Sequence, residues 1–366
     1  MSKQLLLESF QLGDYTLKNR IIMAPLTRSR ADNPENKVTD LHVTYYSQRA
    51  TAGLIITEAT QISKQGVGYV NTPGIHSEAQ VEAWKKVTDA VHAQGGLIFN
   101  QLWHVGAISH PDFHDGELPV SASDVNPNAQ VYTHNGFTHT VAPRPLTVSE
   151  IKSTVQDYRK AAANALRAGF DGVEIHGANG YLVDQFIQDS TNKRSDEYGG
   201  SVENRSRFLF EILDEVISEV GTSKKVGLRL SPSGLFNTKG DSDSKNTWTY
   251  VIEKLNGYDL AYLHLVEPLV PLPEDTHFAK EVAKFYRKSY QGTLISNGGY
   301  TQEKGNQTLA EGHADLIAYG TLFISNPDLP RRFELGAALA EPDKNTFYTP
   351  GAKGYIDYPS LEEIKA

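Results

Sequence analysis

The chain has 366 residues, which fits either two or three average domains or one decorated barrel of the (β/α)8 type. It has no cysteine, which excludes disulfide frameworks, thiol nucleophiles, cysteine-ligated zinc and iron–sulfur clusters. Its net charge of −9 comes without a basic stripe, which argues against nucleic-acid binding. No apolar run approaches the ~20 residues of a membrane span or the roughly 7–15 of a secretory signal, so we expect a cytoplasmic protein.

Short, nearly continuous apolar runs recur along the chain, each followed by a polar loop and a segment with helical periodicity. Such runs are typical of parallel strands buried on both faces. Eight strands that alternate with helices predict an α/β fold, with a closed (β/α)8 TIM barrel as the leading form and a doubly wound open sheet as the alternative. The runs cover 21–24, 53–57, 97–101, 172–176, 226–230, 260–266, 293–297 and 316–319.

Signals for helix starts support this alternation. Ser77 and Gln80 have the spacing of a capping box, and a second capping box begins at Thr147. An amphipathic pattern predicts a further helix over 202–220.

The residues beyond a plain barrel are concentrated at 102–147, after the third strand. Within this insertion, alternating residues on both sides of Asn135 and Gly136 predict a β-hairpin, which we expect to form a lid over the C-terminal face. Residues 9–19 predict a second small hairpin that closes the bottom of the barrel.

Active sites of such barrels lie at the C-terminal ends of the strands, where this chain has polar hydrogen-bond donors. It has no HxH, HExxH or GxSxG motif and no lysine at a strand end, which argues against a metal site, a serine nucleophile and a Schiff base. Glycines follow the seventh and eighth strands, where barrels form phosphate sites from backbone N–H groups. The donors, which suit a polar planar cofactor, are Thr27, Gln101, His176, Asn179 and Arg229.

Several longer motifs occur in a fixed order: 20–28 (RIIMAPLTR), 68–75, 101–104 (QLWH), 171–182 (DGVEIHGANGYL), 192–201, 323–329 and 354–359. With these motifs the chain resembles the Old Yellow Enzyme family of FMN-dependent ene-reductases, which includes 12-oxophytodienoate reductases. The resemblance implies one FMN-binding barrel domain over 1–366. It also implies that NAD(P)H reduces the flavin and leaves, and that an activated alkene then enters the same site.

The resemblance implies catalytic roles for residues after the fourth strand. His176 and Asn179 would hydrogen-bond the oxygen of an α,β-unsaturated carbonyl or a nitroalkene, and so act as an oxyanion hole. Tyr181 would protonate the substrate's Cα as a general acid. The aromatic residues that would shape the substrate pocket are Tyr69, Trp103 and Tyr348.

The same resemblance implies how the cofactor is held. Thr27 would hydrogen-bond a flavin carbonyl, and Gln101 and Arg229 would bind the pyrimidine edge of the ring. Pro25 and Ala59 would line the ring through backbone groups. No metal is expected, and the expected partners are a small enone or nitro compound and, at most, a second copy of the chain in a homodimer. The phosphate end would involve Gly298, Gly299, Gly320 and Thr321.

Thr321 departs from the family's pattern, because relatives have an arginine there that contacts the FMN phosphate. A hydrogen bond to a charged group contributes ~1.5–3 kcal/mol, so FMN affinity could be about 10- to 150-fold weaker. Gly298, Gly299 and the following helix start could offset this loss. Arg331 and Arg332 are near in sequence, but the sequence does not place them.

Two other functions stay open at this point. The alternative is a degenerate barrel that binds FMN weakly and holds phenolic or enone ligands without turnover, which only Thr321 supports. A metal-dependent barrel hydrolase is the third interpretation, and it lacks ligands in the sequence.

Overall fold

The computed structural model describes residues 4–274 and 276–365. Within that part of the chain, eight parallel strands form a closed barrel in which each strand pairs with the next and the last pairs with the first. The predicted TIM barrel is therefore confirmed, and the open doubly wound sheet is excluded. The strands are β1 (Ile21–Met23), β2 (Leu54–Gln61), β3 (Ile98–Trp103), β4 (Gly172–Gly177), β5 (Val226–Leu230), β6 (Tyr262–Val266), β7 (Leu294–Asn297) and β8 (Leu316–Tyr319).

All residues of these strands are buried. The apolar runs in the sequence therefore predicted the ends of the strands to within a few residues. The largest difference is β2, which continues to Gln61 instead of ending at residue 57. Its pairing with β3 shifts register between Ile56 and Ala59. Bulges of this kind are common beside active sites, where they redirect a side chain.

Helices lie between the strands as predicted. The principal helices are α1 (Asp40–Ser47), α2 (Glu78–Ala93), α3 (Val148–Arg167), α4 (Arg207–Val220), α5 (Ser244–Leu255), α6 (Val282–Tyr286), α7 (Gln302–Ala310) and α8 (Leu329–Leu335). Shorter helices cover Leu182–Ile187, Val202–Arg205, Thr321–Ser325 and Leu361–Lys365, and 3₁₀ turns cover Leu5–Leu7, Lys64–Gly66, Pro111–Phe113, Ser223–Lys225, Arg287–Ser289 and Lys344–Thr346.

The helix starts follow the sequence signals. The Ser77 and Thr147 side chains cap α2 and α3, so both predicted capping boxes are confirmed. The helix predicted over 202–220 is wrong as a single element, because it divides at Ser206. The Ser206 hydroxyl donates to the carbonyl of Glu203 at 3.2 Å, a local bond that competes with regular helix geometry.

Both predicted hairpins are present at opposite ends of the barrel. Phe10–Leu12 pairs with Tyr15–Leu17, and Leu12 packs with the residues inside the bottom of the barrel. Gln130–Thr133 pairs with Gly136–His139 in the insertion after β3. Val131 of this second hairpin packs against Trp103 and Tyr181, so the hairpin lies at the C-terminal mouth.

Elsewhere in the insertion, Val120–Ser121 and Arg144–Pro145 form a short parallel pair, and the Ser121 hydroxyl donates to Gln185 Oε1 at 2.7 Å in the helix that follows β4. No helix in residues 4–274 and 276–365 combines the length and the apolar character needed to cross a bilayer.

Candidate active site at the mouth of the barrel

The residues predicted from the sequence lie at the carboxyl ends of the strands. His176 in β4 is the register partner of Arg229 in β5, and Gln101 in β3 is the partner of Glu174 in β4. Because all the barrel strands are parallel, the segments that follow them emerge at one mouth. The closed barrel therefore brings the predicted cofactor and substrate residues to the same end of the molecule.

Four rings form one aromatic cluster at this mouth. The Trp103 ring stacks with the rings of Tyr69 and His176, at centroid distances of 5.6 and 6.3 Å. The Tyr181 ring meets Trp103 and His176 edge-on, at 5.0 and 5.1 Å. Trp103 Nε1 is buried and has no hydrogen-bond partner within the described residues. The cluster gives the site an apolar wall with polar groups at its edge.

His176 is a neutral hydrogen-bond donor. The backbone N–H of Ala178 donates to His176 Nδ1 at 3.3 Å, so Nδ1 carries no proton. Burial lowers the pKa of His176 well below its usual range, and the charge of Arg229 adds to this effect. The ring is therefore neutral at physiological pH, with its proton on Nε2.

Tyr181 keeps its proton under the same conditions. Burial raises the pKa of Tyr181 well above its usual range, and Tyr69 adds to the shift. The two hydroxyl oxygens lie 3.3 Å apart, within hydrogen-bond distance. Tyr181 is thus a proton donor to any strong base that forms beside it.

Asn179 lies in an unusual backbone conformation between these two residues. Its φ of 61° is in the left-handed region, which asparagine tolerates better than most residues. Its backbone N–H donates to Ser231 Oγ at 2.7 Å. Among the residues that the structure describes, its half-buried carboxamide has no hydrogen-bond partner, so this group is free to bind a ligand.

A buried network fixes the orientation of Gln101. Its Nε2 donates to Glu174 Oε1 at 2.7 Å, and the other carboxylate oxygen lies 2.8 Å from His264 Nδ1. Glu174 and His264 are fully buried. Sequence reasoning missed both, although each is an ionisable residue inside an apolar strand, and such residues need a partner.

Arg229 is oriented in a similar way by Asn297. One guanidinium N–H group donates to Asn297 Oδ1 at 2.9 Å, and Asn297 Nδ2 donates to the carbonyl of Ala318 at 2.9 Å. Burial lowers the pKa of Arg229, while the charge of Glu174 raises it. Arginine stays protonated through shifts of this kind, so the guanidinium remains a cation. Its Nε is buried without a partner among the described residues.

The glycine-bearing loops after β7 and β8 lie at the same end. Gly299 has a φ of 65° and open space where a Cβ would stand. A Cβ on Gly320 would lie only 3.2 Å from the side chain of Leu26. Thr321 is exposed and begins the short helix Thr321–Ser325.

The two arginines that the sequence does not place are occupied elsewhere. Arg332 is buried and pairs with Asp328 at 2.7 Å, and it also donates to two backbone carbonyls. Arg331 pairs with Glu334. Both guanidinium groups are therefore engaged within the segment around α8.

The remaining predicted residues differ in how closely they approach the cluster. Ala59 is buried and packs in the aromatic cluster, and Pro25 and Thr27 are half-buried after β1. Tyr348 is 67% exposed, and its ring does not stack on the rings of the aromatic cluster. Tyr348 is one of the groups that raise the pKa of Tyr181, after burial and Tyr69. Its role in the substrate pocket stays a prediction.

The chemistry of this donor set fits FMN. The unpartnered Arg229 Nε and the fixed Gln101 amide are polar groups that need a ligand with both donors and acceptors. The left-handed Gly299, with space beside it, leaves room for a bulky polar group against the backbone. A flavin ring with its phosphate offers these features at once.

Comparisons with known proteins identify the family of this chain. The model of the NADH:flavin oxidoreductase / NADH oxidase family matches residues 5–340. The chain is 48% identical to 12-oxophytodienoate reductase 1 of Oryza sativa subsp. japonica, over 98% of this chain and 94% of that protein. It is 44% identical to 12-oxophytodienoate reductase 2 of Arabidopsis thaliana, over 98% and 96% of the two chains.

Solved structures give the same result. The old yellow enzyme homologue from Zymomonas mobilis superposes with a TM-score of 0.93 at 44% identity, over 97% of this chain and 99% of that chain. Morphinone reductase in complex with tetrahydroNAD superposes with a TM-score of 0.91 at 45% identity, over 97% of each chain. Because sequence and fold match over nearly the whole length, this chain belongs to the NADH:flavin oxidoreductase / NADH oxidase family, that of Old Yellow Enzyme, and is an FMN-dependent oxidoreductase.

Proposed function

We propose that His176, Asn179 and Tyr181 together reduce the carbon–carbon double bond of an α,β-unsaturated carbonyl compound or a nitroalkene, with NAD(P)H as the reductant. The observation that carries this proposal is a pair of complementary groups: a neutral imidazole that donates through Nε2 and a phenol that holds its proton. Their ring centroids lie 5.1 Å apart in one pocket. Relatives named as reductases of 12-oxophytodienoate and of morphinone support a substrate with a ketone oxygen.

The cofactor would be held by groups that the protein has already oriented. Gln101 and Arg229 would bind the pyrimidine edge of the ring, Thr27 a ring carbonyl, and the backbone at Pro25 and Ala59 would line the ring. FMN, when bound, supplies the two-electron chemistry that carries a hydride equivalent from NAD(P)H to the alkene. The groups at the phosphate end would be Gly298, Gly299, Gly320 and Thr321.

The substrate oxygen would accept hydrogen bonds from His176 Nε2 and the Asn179 carboxamide. Negative charge grows on this oxygen as the double bond is reduced, and fixed donors stabilise the charge without reorganising. A neutral imidazole suits this role because it remains a donor over a wide pH range. Tyr181 would then give its hydroxyl proton to Cα, with Tyr69 holding the phenol in place.

Other properties stay at the level of proposals. The domain would be single over 1–366, and the reductant preference between NADPH and NADH is left open. We propose a monomer or a homodimer without nucleic-acid or membrane partners, which the net charge of −9 supports on the nucleic-acid side. The cytoplasmic location expected from the sequence also stays a prediction.

The test uses purified protein loaded with FMN under anaerobic conditions. NADPH or NADH consumption is measured with cyclohex-2-enone and with β-nitrostyrene, and the products are identified by gas chromatography. We expect saturated products from the wild type and a loss of about 100-fold or more in kcat/KM in His176→Ala. His114→Ala is the matched control, because His114 bonds Ser109 in the insertion and does not belong to the aromatic cluster. Flavin-loaded protein that forms no saturated product would favour the ligand-binding barrel.

A further inference from the structure

In the loop that carries Asn179 and Tyr181, the backbone of Asn179 and Gly180 makes no hydrogen bond to other backbone groups of the described residues. Asn179 and Gly180 both lie in the left-handed region, with φ of 61° and 72°. Gly180 adopts this conformation freely, whereas Asn179 is a non-glycine residue that keeps it only when surrounding groups hold it. The groups that hold this loop therefore control where the two functional side chains point.

All four backbone polar groups of Asn179 and Gly180 are bonded to side chains. Asn179 N–H donates to Ser231 Oγ at 2.7 Å, and its carbonyl accepts from Asn237 Nδ2 at 3.3 Å. Gly180 N–H donates to Asp184 Oδ2 at 2.7 Å, and its carbonyl accepts from Gln185 Nε2 at 2.7 Å. All four partners are side chains.

Asp184 has a special position among these partners. It is fully buried, and its second oxygen, Oδ1, accepts from Gln188 Nε2 at 2.6 Å. Both of these neighbours are donors, and each is accepted by a different oxygen of the carboxyl group. Ser231 is a further hydrogen-bond partner of this group, and burial raises the pKa of Asp184 to about 7. Gln188 is in turn fixed by the Thr238 hydroxyl at 2.6 Å, which links the carboxylate to the loop after β5.

We propose that Asp184 is a positioning residue, whose carboxylate fixes the Asn179–Gly180 backbone and so aims the Asn179 carboxamide and the Tyr181 hydroxyl at the substrate. The effect of Asp184 on the reaction rests on the proposed function, whereas its effect on the backbone of the loop does not. Ser231, at the end of β5, fixes the same backbone by accepting the Asn179 N–H. Neither side chain touches the substrate.

The test compares Asp184→Asn with a matched variant, Asp241→Asn. Asparagine keeps one acceptor and presents a donor where the second acceptor stood, so either Gly180 N–H or Gln188 Nε2 loses its partner. Asp241 is also a buried carboxyl, but it pairs with Arg205 at 3.0 Å and accepts the N–H groups of Asp189 and Asp243. It makes no hydrogen bond to the 178–182 segment.

Hydrogen exchange of the 178–182 segment is measured by mass spectrometry, together with the FMN Kd and with kcat and KM for cyclohex-2-enone. In Asp184→Asn we expect exchange of this segment to rise at least about tenfold and kcat to fall at least about tenfold, with the FMN Kd within about twofold of the wild type. In Asp241→Asn we expect both the segment's exchange and kcat to stay within about twofold, whatever its thermal midpoint.

Ser231→Ala provides a second variant should Asp184→Asn not fold, because it removes the acceptor of the Asn179 N–H within the same network, in which Ser231 also hydrogen-bonds the Asp184 carboxyl. The same local rise in exchange and the same fall in kcat are expected. Unchanged exchange in these variants, or equal changes in Asp241→Asn, would overturn the inference. A wild type that reduces no enone would instead refute the proposed function, while the exchange data would still decide whether Asp184 holds the loop.

Discussion

The hydroxyl oxygens of Tyr69 and Tyr181 lie 3.3 Å apart, although the two residues come from different loops of the barrel mouth. Burial raises the pKa of both phenols, so both remain protonated at physiological pH. One of them donates to the other, and this contact holds the Tyr181 ring edge-on to Trp103. Tyr69 therefore supports the geometry of the proposed acid without being the acid.

The first prediction separates these two phenols. Tyr181→Phe removes the proton donor, so we expect kcat for cyclohex-2-enone to fall about 100-fold or more. The rate at which NAD(P)H reduces the bound cofactor, measured by stopped flow without an enone, should change less than about threefold. Tyr69→Phe keeps the acid and loses one hydrogen bond, so its kcat should fall less than about tenfold. Equal losses in the two variants would contradict the assignment of the acid.

The second prediction concerns the phosphate end of the site. Thr321 is exposed at the position where the family resemblance implies an arginine, and Arg331 and Arg332 are held by Glu334 and Asp328. We expect Thr321→Arg to lower the FMN Kd about tenfold or more, because a charge-assisted hydrogen bond to the phosphate is restored. The Kd is measured by quenching of flavin fluorescence.

Riboflavin, which lacks the phosphate, is the control for this variant. Its Kd should stay within about twofold in Thr321→Arg. An FMN Kd that does not fall, or a riboflavin Kd that falls equally, would show that Thr321 does not weaken the phosphate site.

The sequence was sufficient to predict the barrel and the position of its mouth. Parallel strands buried on both faces have continuous apolar runs, so their number and order could be counted along the chain. The hairpin around Asn135 and Gly136 was equally local, because its turn residues and alternation lie within ten positions. The break at Ser206 escaped prediction, because the apolar periodicity continues across it.

The supporting groups of the site could not be predicted in this way. Glu174 reaches Gln101 and His264 only through the register of three strands, at separations of 73 and 90 residues. Asp184 and Ser231 bond the backbone of the loop, and backbone partners leave no pattern of residue types in the sequence. The exposure of Tyr348 likewise depends on how the C-terminal segment packs, which residue spacing does not encode.

The third prediction tests the network around Glu174. Glu174→Leu leaves Gln101 Nε2 and His264 Nδ1 buried without acceptors, at a cost of about 1–3 kcal/mol for each group. We expect a lower thermal midpoint and an FMN Kd raised about tenfold or more, because the Gln101 amide is free to turn. The Kd is measured by fluorescence quenching on variant protein that remains folded by circular dichroism.

Glu174→Gln is the matched variant for this network. The amide oxygen of the new glutamine still accepts from Gln101. The amide nitrogen can donate to His264 Nδ1 if the imidazole proton moves to Nε2, an atom that has no partner among the described residues of the wild type. The FMN Kd should therefore stay within about threefold of the wild type. An FMN Kd raised equally in both variants would show that the weaker binding comes from the lost charge and not from the orientation of Gln101.

The fourth prediction concerns the pH dependence of stability and arises from Glu58, which lies in the bulge of β2. Its carboxyl is buried and accepts from the Tyr46 hydroxyl at 3.2 Å, and burial raises its pKa to about 7. Between pH 4.5 and 7 the unfolded chain has lost this proton, whereas the folded protein retains it. The free energy of unfolding therefore falls as pH rises through this window, by about 1.4 kcal/mol per pH unit from this one group.

Glu58→Gln has no proton to lose and so lacks this contribution. Relative to the wild type, the variant should therefore become more stable by about 3 kcal/mol between pH 4.5 and pH 7. The free energy of unfolding of both proteins is measured by urea denaturation at several pH values. Glu150→Gln is the control, because the pKa of Glu150 is shifted in the opposite direction. Hydrogen bonds from Arg144 and Thr147 lower the pKa of Glu150 to about 2. Its contribution to the free energy of unfolding is therefore present above pH 4.5 and is lost only as the pH falls toward 2. Its difference from the wild type should be constant between pH 4.5 and 7. A constant difference for Glu58→Gln as well would mean that Glu58 is already ionised in the folded protein, with the nearby guanidinium groups of Arg28 and Arg30 outweighing burial.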